Sequence, residues 1–361
     1  MSEGTVWPLE PHTAAKHEIL RRYLGAWFAI LGRQNRRLVY VDGFCGPGRY
    51  TDGEPGSPLV AVEVVQTLAG KIAAKPELVF IDNDELRIDN LKLELRSEAS
   101  NSYNMHIICG EFRDKFPRVI NSLVRRQQPT PPLFAFIDPF GFSGIPFDLV
   151  RRILSYERSE AFILLNTNAL RRFLEHSNHE IRIHIAETFG TSDVFEISTA
   201  SFDRLMALRE LYQKQLSQHA KFVRYFEMLD SSGSTIYHLF FATNNPLGFE
   251  KMKDAMWAVD RTGAFRFSDR TDPNQMILLG PDPSGDLAAT LAERFGGQTH
   301  DAQLVKRWVV ENSIFVRKHV TAALRYAERN GQIAVGESKS DGSRRKRNTY
   351  PDGSTIKFRD R

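Results

Sequence analysis

Apolar positions return along this chain with two different periods. Across residues 13–32, Ile19, Leu20, Tyr23, Leu24, Trp27, Phe28 and Leu31 recur at helical spacing. They predict an amphipathic helix, with Thr13 as its N-cap and Gly32 as its stop. From there short, near-continuous apolar runs alternate with helical patterns. The runs cover residues 37–42, 78–82, 105–109, 133–138 and 161–166, and the intervening helices cover 59–68, 84–96, the stretch after the third run through 124, and 147–154. Strands that are apolar on both faces and separated by helices predict a buried parallel sheet with helices on both sides.

After a charged, mostly helical stretch (170–220), residues 221–228 and 235–243 read as two more strands. The turn Asp230-Ser231-Ser232-Gly233 between them predicts an antiparallel pair. Residues 260–285, rich in Gly, Pro, Asp and Arg, read as a linker. Helical patterns over 286–295, 302–311 and 315–330 follow. Two short apolar runs, 333–335 and 355–358, then flank a basic loop, predicting three helices with a two-stranded wing.

Composition narrows the class. The chain has 361 residues, 42% of them hydrophobic and 25% charged, as expected of a globular protein with a sizeable core and an appendage. No run approaches the length of a membrane span. Residues 1–15 lack a basic patch followed by an apolar stretch, so a cytoplasmic location is the default expectation. The only cysteines, Cys45 and Cys109, are too few for a structural zinc site and are expected to be buried thiols. His176, His179 and His184 are scattered over a polar helix, and no metal site is expected. The net charge of +4 is uneven, with Arg344, Arg345, Lys346 and Arg347 forming a block on the expected wing.

The candidate chemistry sits at strand ends. Val41 to Arg49 reads V-D-G-F-C-G-P-G-R, so Asp42, Gly43, Gly46 and Gly48 mark a turn where backbone approaches a ligand closely. The next helix comes late, behind Gly53, Pro55, Gly56 and Pro58. That departs from a dinucleotide fold, where pyrophosphate needs an immediate helix N-terminus. Asp82 ends the second strand, where an acid accepts bonds from ribose hydroxyls; Asp84 is expected to cap the following helix. Glu111, after Cys109-Gly110, is placed at an adenine edge, with Phe112 either on the adenine face or in the core. Asp138-Pro139-Phe140-Gly141 follows the fourth strand. There an acid and carbonyls can accept from an amino group, and an aromatic can stack on a planar base. Lys16-His17 is expected on a solvated helix face or over a cofactor carboxylate, and Asn166-Thr167-Asn168 is a possible pocket lining.

The segments K-H-E-I-L, V-D-G-F-C-G-P-G-R-Y, G-S-P-L-V-A, F-I-D-N-D and F-I-D-P-F-G-F together resemble the three-Cys-motif partner protein family, over roughly residues 12–245. The C-terminal module resembles the winged-helix domain of one branch of that family. The resemblance implies a class I methyltransferase fold and a genomic partner with a three-cysteine motif similar to radical S-adenosylmethionine enzymes. The Asp138 loop also resembles the Asp-Pro-Pro-Tyr loop of amino-group methyltransferases, and D-P-F-G is similar to the loop of transfer-RNA guanine-N2 dimethyltransferases. These likenesses assign Asp138, Pro139 and Phe140 to the target amine.

The expected fold class is therefore α/β: a Rossmann-like seven-stranded methyltransferase sheet over 1–260, a linker over 261–284, and a winged helix-turn-helix domain over 285–361. The expected cofactor is S-adenosyl-L-methionine, held by Asp42, Gly43, Gly46, Gly48, Asp82 and Glu111. Arg317 and Lys318 on the third helix of the last domain, with Arg344, Arg345, Lys346 and Arg347 on its wing, are the candidate nucleic-acid contacts. The leading expectation is methyl transfer to an amino group of a nucleic-acid base. The alternatives are a non-catalytic nucleic-acid-binding or regulatory partner of the three-cysteine protein, and methylation of a small molecule.

Overall fold

The computed structural model describes residues 7–125, 129–139, 145–197, 204–260, 262–269 and 282–360. It divides into two units, one of Met1–Val259 with Phe265–Pro273, the other of Asp260–Ala264 with Asn274–Arg361.

The first unit is built on β1 (Arg37–Asp42), β2 (Lys75–Asp82), β3 (Asn104–Cys109), β4 (Leu133–Ile137), β5 (Ser159–Leu165), β6 (Phe222–Leu229), β7 (Thr235–Thr243) and β8 (Arg266–Ser268). They form one sheet in the order β3-β2-β1-β4-β5-β7-β6-β8. The strands from β1 to β5 run parallel, and β7 is inserted antiparallel between β5 and β6. The order reverses between β1 and β4, which leaves a crevice at the carboxyl ends of those two strands. The helices are α1 (Pro11–Leu31), α2 (Ser57–Thr67), α3 (Glu85–Glu94), α4 (Phe112–Val119), α5 (Phe147–Leu154), α6 (Thr167–Phe173), α7 (His179–Phe189), α8 (Arg204–Ser217) and α9 (Pro246–Val259).

Two differences from the sequence reading have local causes. α1 starts at Pro11 with Glu10 as its N-cap, not at Thr13. Proline lacks the N–H that a first turn leaves unpaired anyway, so it opens the helix earlier than a hydroxyl cap would. The expected linker also contains β8, which pairs in parallel with β6 through Glu227↔Arg266 to Leu229↔Ser268. The described sheet therefore has eight strands, not seven. Residues 270–281 of that expected linker lie outside the described residues.

Both sheet faces are covered. Val39, Val41, Val79, Ile81, Ala135 and Ile137 face a core shared with Phe112, Phe116, Val150 and Ile153. Alternation sends Tyr40 and Asp42 to the opposite face. There α1 buries Ile19, Leu20, Tyr23, Leu24, Trp27 and Phe28. Tyr23 lies 5.1 Å from both Phe134 and Phe241, and Tyr40 stacks on Phe134 at 5.9 Å. Each such buried side chain contributes ~1.5–3 kcal/mol, so this packing fixes α1 across β4 and β7.

The second unit holds α10 (Ser284–Phe295), β9 (Thr299–Asp301), α11 (Ala302–Asn312), α12 (Arg317–Arg329), β10 (Ile333–Lys339) and β11 (Ser354–Phe358). Its three-stranded antiparallel sheet has the order β10-β11-β9. Helix, strand, helix, helix and a closing hairpin make up this small α/β unit. Leu287, Leu291, Val305, Val309, Val320, Leu324 and Ile356 are buried in its core.

Candidate functional site

The glycine turn is held in place by its neighbours before any ligand is considered. Gly43 N–H donates to the Phe136 carbonyl at 2.9 Å, and Cys45 N–H donates to the Ile81 carbonyl at 3.0 Å. A Cβ on Gly43 would stand 2.7 Å from the Phe112 ring. The missing side chain at Gly43 is thus explained by Phe112, which is buried in the core against Phe44 and Phe116. Gly46 and Gly48 adopt left-handed backbone, with φ of 65° and 98°. A Cβ at Gly46 would meet nothing within 4 Å, so this is where the turn presents bare backbone to open space. The long tail returns on itself, with Gly56 N–H donating to the Gly48 carbonyl at 2.7 Å, and α2 then starts with Pro58 in its first turn.

Asp42 sits at the centre. It is fully buried, and Oδ1 accepts from the Phe44 N–H at 3.3 Å. Oδ2 is buried with no hydrogen-bond partner among the described residues. Burial pushes the carboxyl up to about 7, against the opposing pull of Ser57 and the Phe44 amide, with a further rise from the charges of Asp138 and Asp82. Tyr40 lies beside it with its hydroxyl facing the carboxylate, and burial followed by the Asp42 charge raises its ionisation far above the ordinary range.

Asp82 serves the turn directly. Oδ2 accepts from the Gly46 N–H and Oδ1 from the Asp84 N–H, both at 3.0 Å, and Arg87 Nη1 stands 3.8 Å away. Asp84 caps α3 by accepting from the Leu86 and Arg87 amides. Glu111, exposed at the N-cap position of α4, accepts from Asn83 Nδ2 at 2.8 Å, which ties the ends of β2 and β3 together. Cys45 is buried, whereas Cys109 is exposed, contrary to the expectation of two buried thiols. Cys109 is the last residue of β3, an edge strand paired on one side only, with Asp82 of β2 in register with it.

Asp138 and Pro139 follow β4 directly; Phe140 and the rest of the loop to residue 144 lie outside the described residues. Asp138 is ion-paired with Lys16, whose side chain is only 6% exposed and whose ammonium lies 5.7 Å from the Tyr237 ring centroid. The solvated-face reading of Lys16-His17 is therefore overturned. The signal was present, because His12, Lys16, Ile19 and Tyr23 follow the helical period of the buried stripe. His17 is buried against Tyr50 at 5.8 Å, with Nδ1 unpartnered among the described residues. Burial, then the cations Lys16 and Arg21, depress it to about 3, so it is neutral. Asn166 caps α6 by accepting from the Ala169 N–H, and Thr167 Oγ1 bonds His238 Nδ1 at 2.9 Å, so both side chains of that candidate lining already have internal partners.

In the C-terminal unit Arg344, Lys346 and Arg347 are exposed on the hairpin, and Arg317 and Lys318 are exposed at the start of α12. Arg345 departs from its expected role. Its side chain is 7% exposed, pairs with Glu328 at 2.9 Å and donates to the Thr349 carbonyl at 2.9 Å. Glu328 accepts in turn from the Tyr350 hydroxyl at 2.5 Å. Arg345 braces the hairpin against α12.

No family model matches this chain, and no curated protein matches it. Several solved structures are similar. Trm1 from Pyrococcus horikoshii with S-adenosyl-L-methionine is 12% identical, covering 71% of this chain and 60% of its own, with a TM-score of 0.37. The O-methyltransferase from Bacillus cereus in complex with SAH is 13% identical, covering 62% of this chain and 80% of its own, with a TM-score of 0.35. The METTL16 methyltransferase domain is 12% identical, covering 61% of this chain and 66% of its own, with a TM-score of 0.30. The strand order and the antiparallel β7 define the class: a Rossmann-like methyltransferase fold, extended here by β8 and followed by a second α/β unit.

Proposed function

We propose that this protein is an S-adenosylmethionine-dependent methyltransferase acting on an amino group of a nucleic-acid base. One observation carries the reading. At the crevice between β1 and β4, bare backbone at Gly46 lies beside a buried carboxylate, Asp42, whose Oδ2 has no partner among the described residues. A buried, unpartnered acceptor costs about 1–3 kcal/mol, and a ligand donor would offset that cost.

The residues present fit this cofactor. Asp42 would accept from its ammonium group, the Gly46 and Gly48 backbone would admit its methionyl part, Asp82 would take the ribose with its remaining lone pairs, and Glu111 would border the adenine. Bound there, the cofactor supplies a methyl group on a sulfonium. The protein's part is orientation and exclusion of water. Asp138 and the Pro139 turn would hold the target amine, with Phe140 beside the base. The exposed cations Arg317, Lys318, Arg344, Lys346 and Arg347 would bind backbone phosphates, giving affinity without sequence information. The sequence resemblance to the three-Cys-motif partner family adds a three-cysteine, radical-SAM-like protein as a candidate partner.

A second reading has its own support: Asp138 is already neutralised by Lys16. On that reading the protein is a non-catalytic nucleic-acid-binding or regulatory partner. Incubation with methyl-labelled cofactor and bulk RNA or DNA separates the two. Label entering nucleic acid, and lost in Asp138→Ala, supports transfer at this loop. No transfer under conditions where cofactor binds supports the second reading.

A further inference from the structure

The buried groups around the crevice form a charge pattern that the fold alone does not require. α1 presents Lys16 and, next to it, neutral His17 with an unpartnered Nδ1. β1 presents Asp42 with an unpartnered Oδ2. Tyr50 stands against His17, Lys16 is paired with Asp138, and Asp42 is in register with Phe136 two residues before Asp138, so the four groups share one neighbourhood. A cation and a neutral nitrogen on one side and a carboxylate on the other are the complement of an α-amino acid zwitterion. In this structure the cation is engaged elsewhere, on Asp138.

The geometry points to Lys16 as an exchangeable cation: it neutralises Asp138 until the α-carboxylate of the cofactor takes it over, with His17, and so frees Asp138 for the incoming amine. This rests on the cofactor reading above and deepens it. The exchange costs little charge separation, because one carboxylate replaces another as the partner of a buried ammonium. It also orders the reaction, since an amine meeting Asp138 before the cofactor arrives would compete with an internal ammonium already in place.

The test compares S-adenosylmethionine with decarboxylated S-adenosylmethionine, which keeps the ammonium group and lacks only the carboxylate. Calorimetry on the full chain gives the ratio of the two dissociation constants. The wild type is expected to prefer the intact cofactor by roughly ten- to hundredfold, the size of one charge-assisted contact. Lys16→Met should bring the ratio close to one. Asp138→Asn should raise it above the wild-type value, because Lys16 no longer has to leave a carboxylate. The double variant Lys16→Met/Asp138→Asn buries no unpaired charge and should again give a ratio near one, so the test stands even if the single Lys16 variant folds poorly. A double variant that keeps the wild-type ratio, or an Asp138→Asn ratio no higher than wild type, overturns the exchange. Equal wild-type binding of both compounds also overturns it and leaves the cofactor reading intact; binding of neither overturns both.

Discussion

The Lys16 ammonium, on a helix at the beginning of the chain, is ion-paired with the Asp138 carboxylate 122 residues later, at the end of β4. The pair joins the helix that covers the sheet to the loop proposed to receive substrate. Lys16 is almost wholly enclosed, while Asp138 keeps a 19% exposed edge. Lys16→Met should therefore lower the unfolding free energy by about 2–4 kcal/mol, somewhat under the loss for a fully enclosed pair. Adding Asp138→Asn should recover most of it. Urea denaturation of both variants checks this; a loss below about 0.5 kcal/mol would make the contact no stronger than a surface ion pair.

Asp42 gives the protein a pH signature. Its carboxyl is raised from 3.8 to about 7, so folding takes up a proton between those values. The stabilising contribution is complete below the unfolded value and is lost as pH rises through about 7. Asp42→Asn removes this dependence. The variant's stability relative to wild type should climb between pH 5 and 7, by at most about 1.4 kcal/mol per pH unit. Thermal or urea unfolding at several pH values reads the slope, and parallel profiles would contradict the assignment. Binding of a ligand ammonium should show the opposite trend, improving as Asp42 ionises.

Asp82 has a structural duty that complicates its proposed contact with ribose. It accepts from the amides of Gly46 and Asp84. Asp82→Ala should leave two donors short of a partner and cost about 1–3 kcal/mol in folding as well as weakening cofactor binding. Asp82→Asn keeps one acceptor oxygen and is expected to lose less stability. Paired unfolding and calorimetric measurements would separate the two duties. Undiminished stability of Asp82→Ala would mean that the turn holds its shape without Asp82.

Four adjacent cations on the hairpin are predicted to behave differently. Arg345→Ala should destabilise the C-terminal unit by about 1–3 kcal/mol, since it strips Glu328 and the Thr349 carbonyl of a buried donor. Replacing Arg344, Lys346 and Arg347 by Ala should change stability by under about 0.5 kcal/mol. It should flatten the salt dependence of duplex DNA binding by roughly 0.9 per lost phosphate contact. Equal effects in both assays would contradict the division of labour.

The strand ends were legible because each carries a strong local signal: an apolar run closed by an acid at Asp42, Asp82 and Asp138, and glycines after the first. What escaped depends on distant contacts. β8 has only three residues, and its pairing with β6 is invisible amid the Gly- and Pro-rich surroundings that made it look like linker. Residue type alone leaves Lys16 on a solvated face or over a cofactor carboxylate, although its helical position follows the buried stripe; its partner is far away in sequence. Which cation in Arg344-Arg345-Lys346-Arg347 turns inward depends on Glu328, on another element. Gly43 matched a ligand-binding pattern, yet the need for glycine there is met by Phe112 packing on the turn.

The central claim is that the β1–β4 crevice binds S-adenosylmethionine, and isothermal titration of the full chain tests it most directly. The account predicts saturable, one-to-one binding of S-adenosylmethionine and S-adenosylhomocysteine, weakened in Asp42→Ala. Absence of binding by either ligand to folded wild-type protein would contradict it.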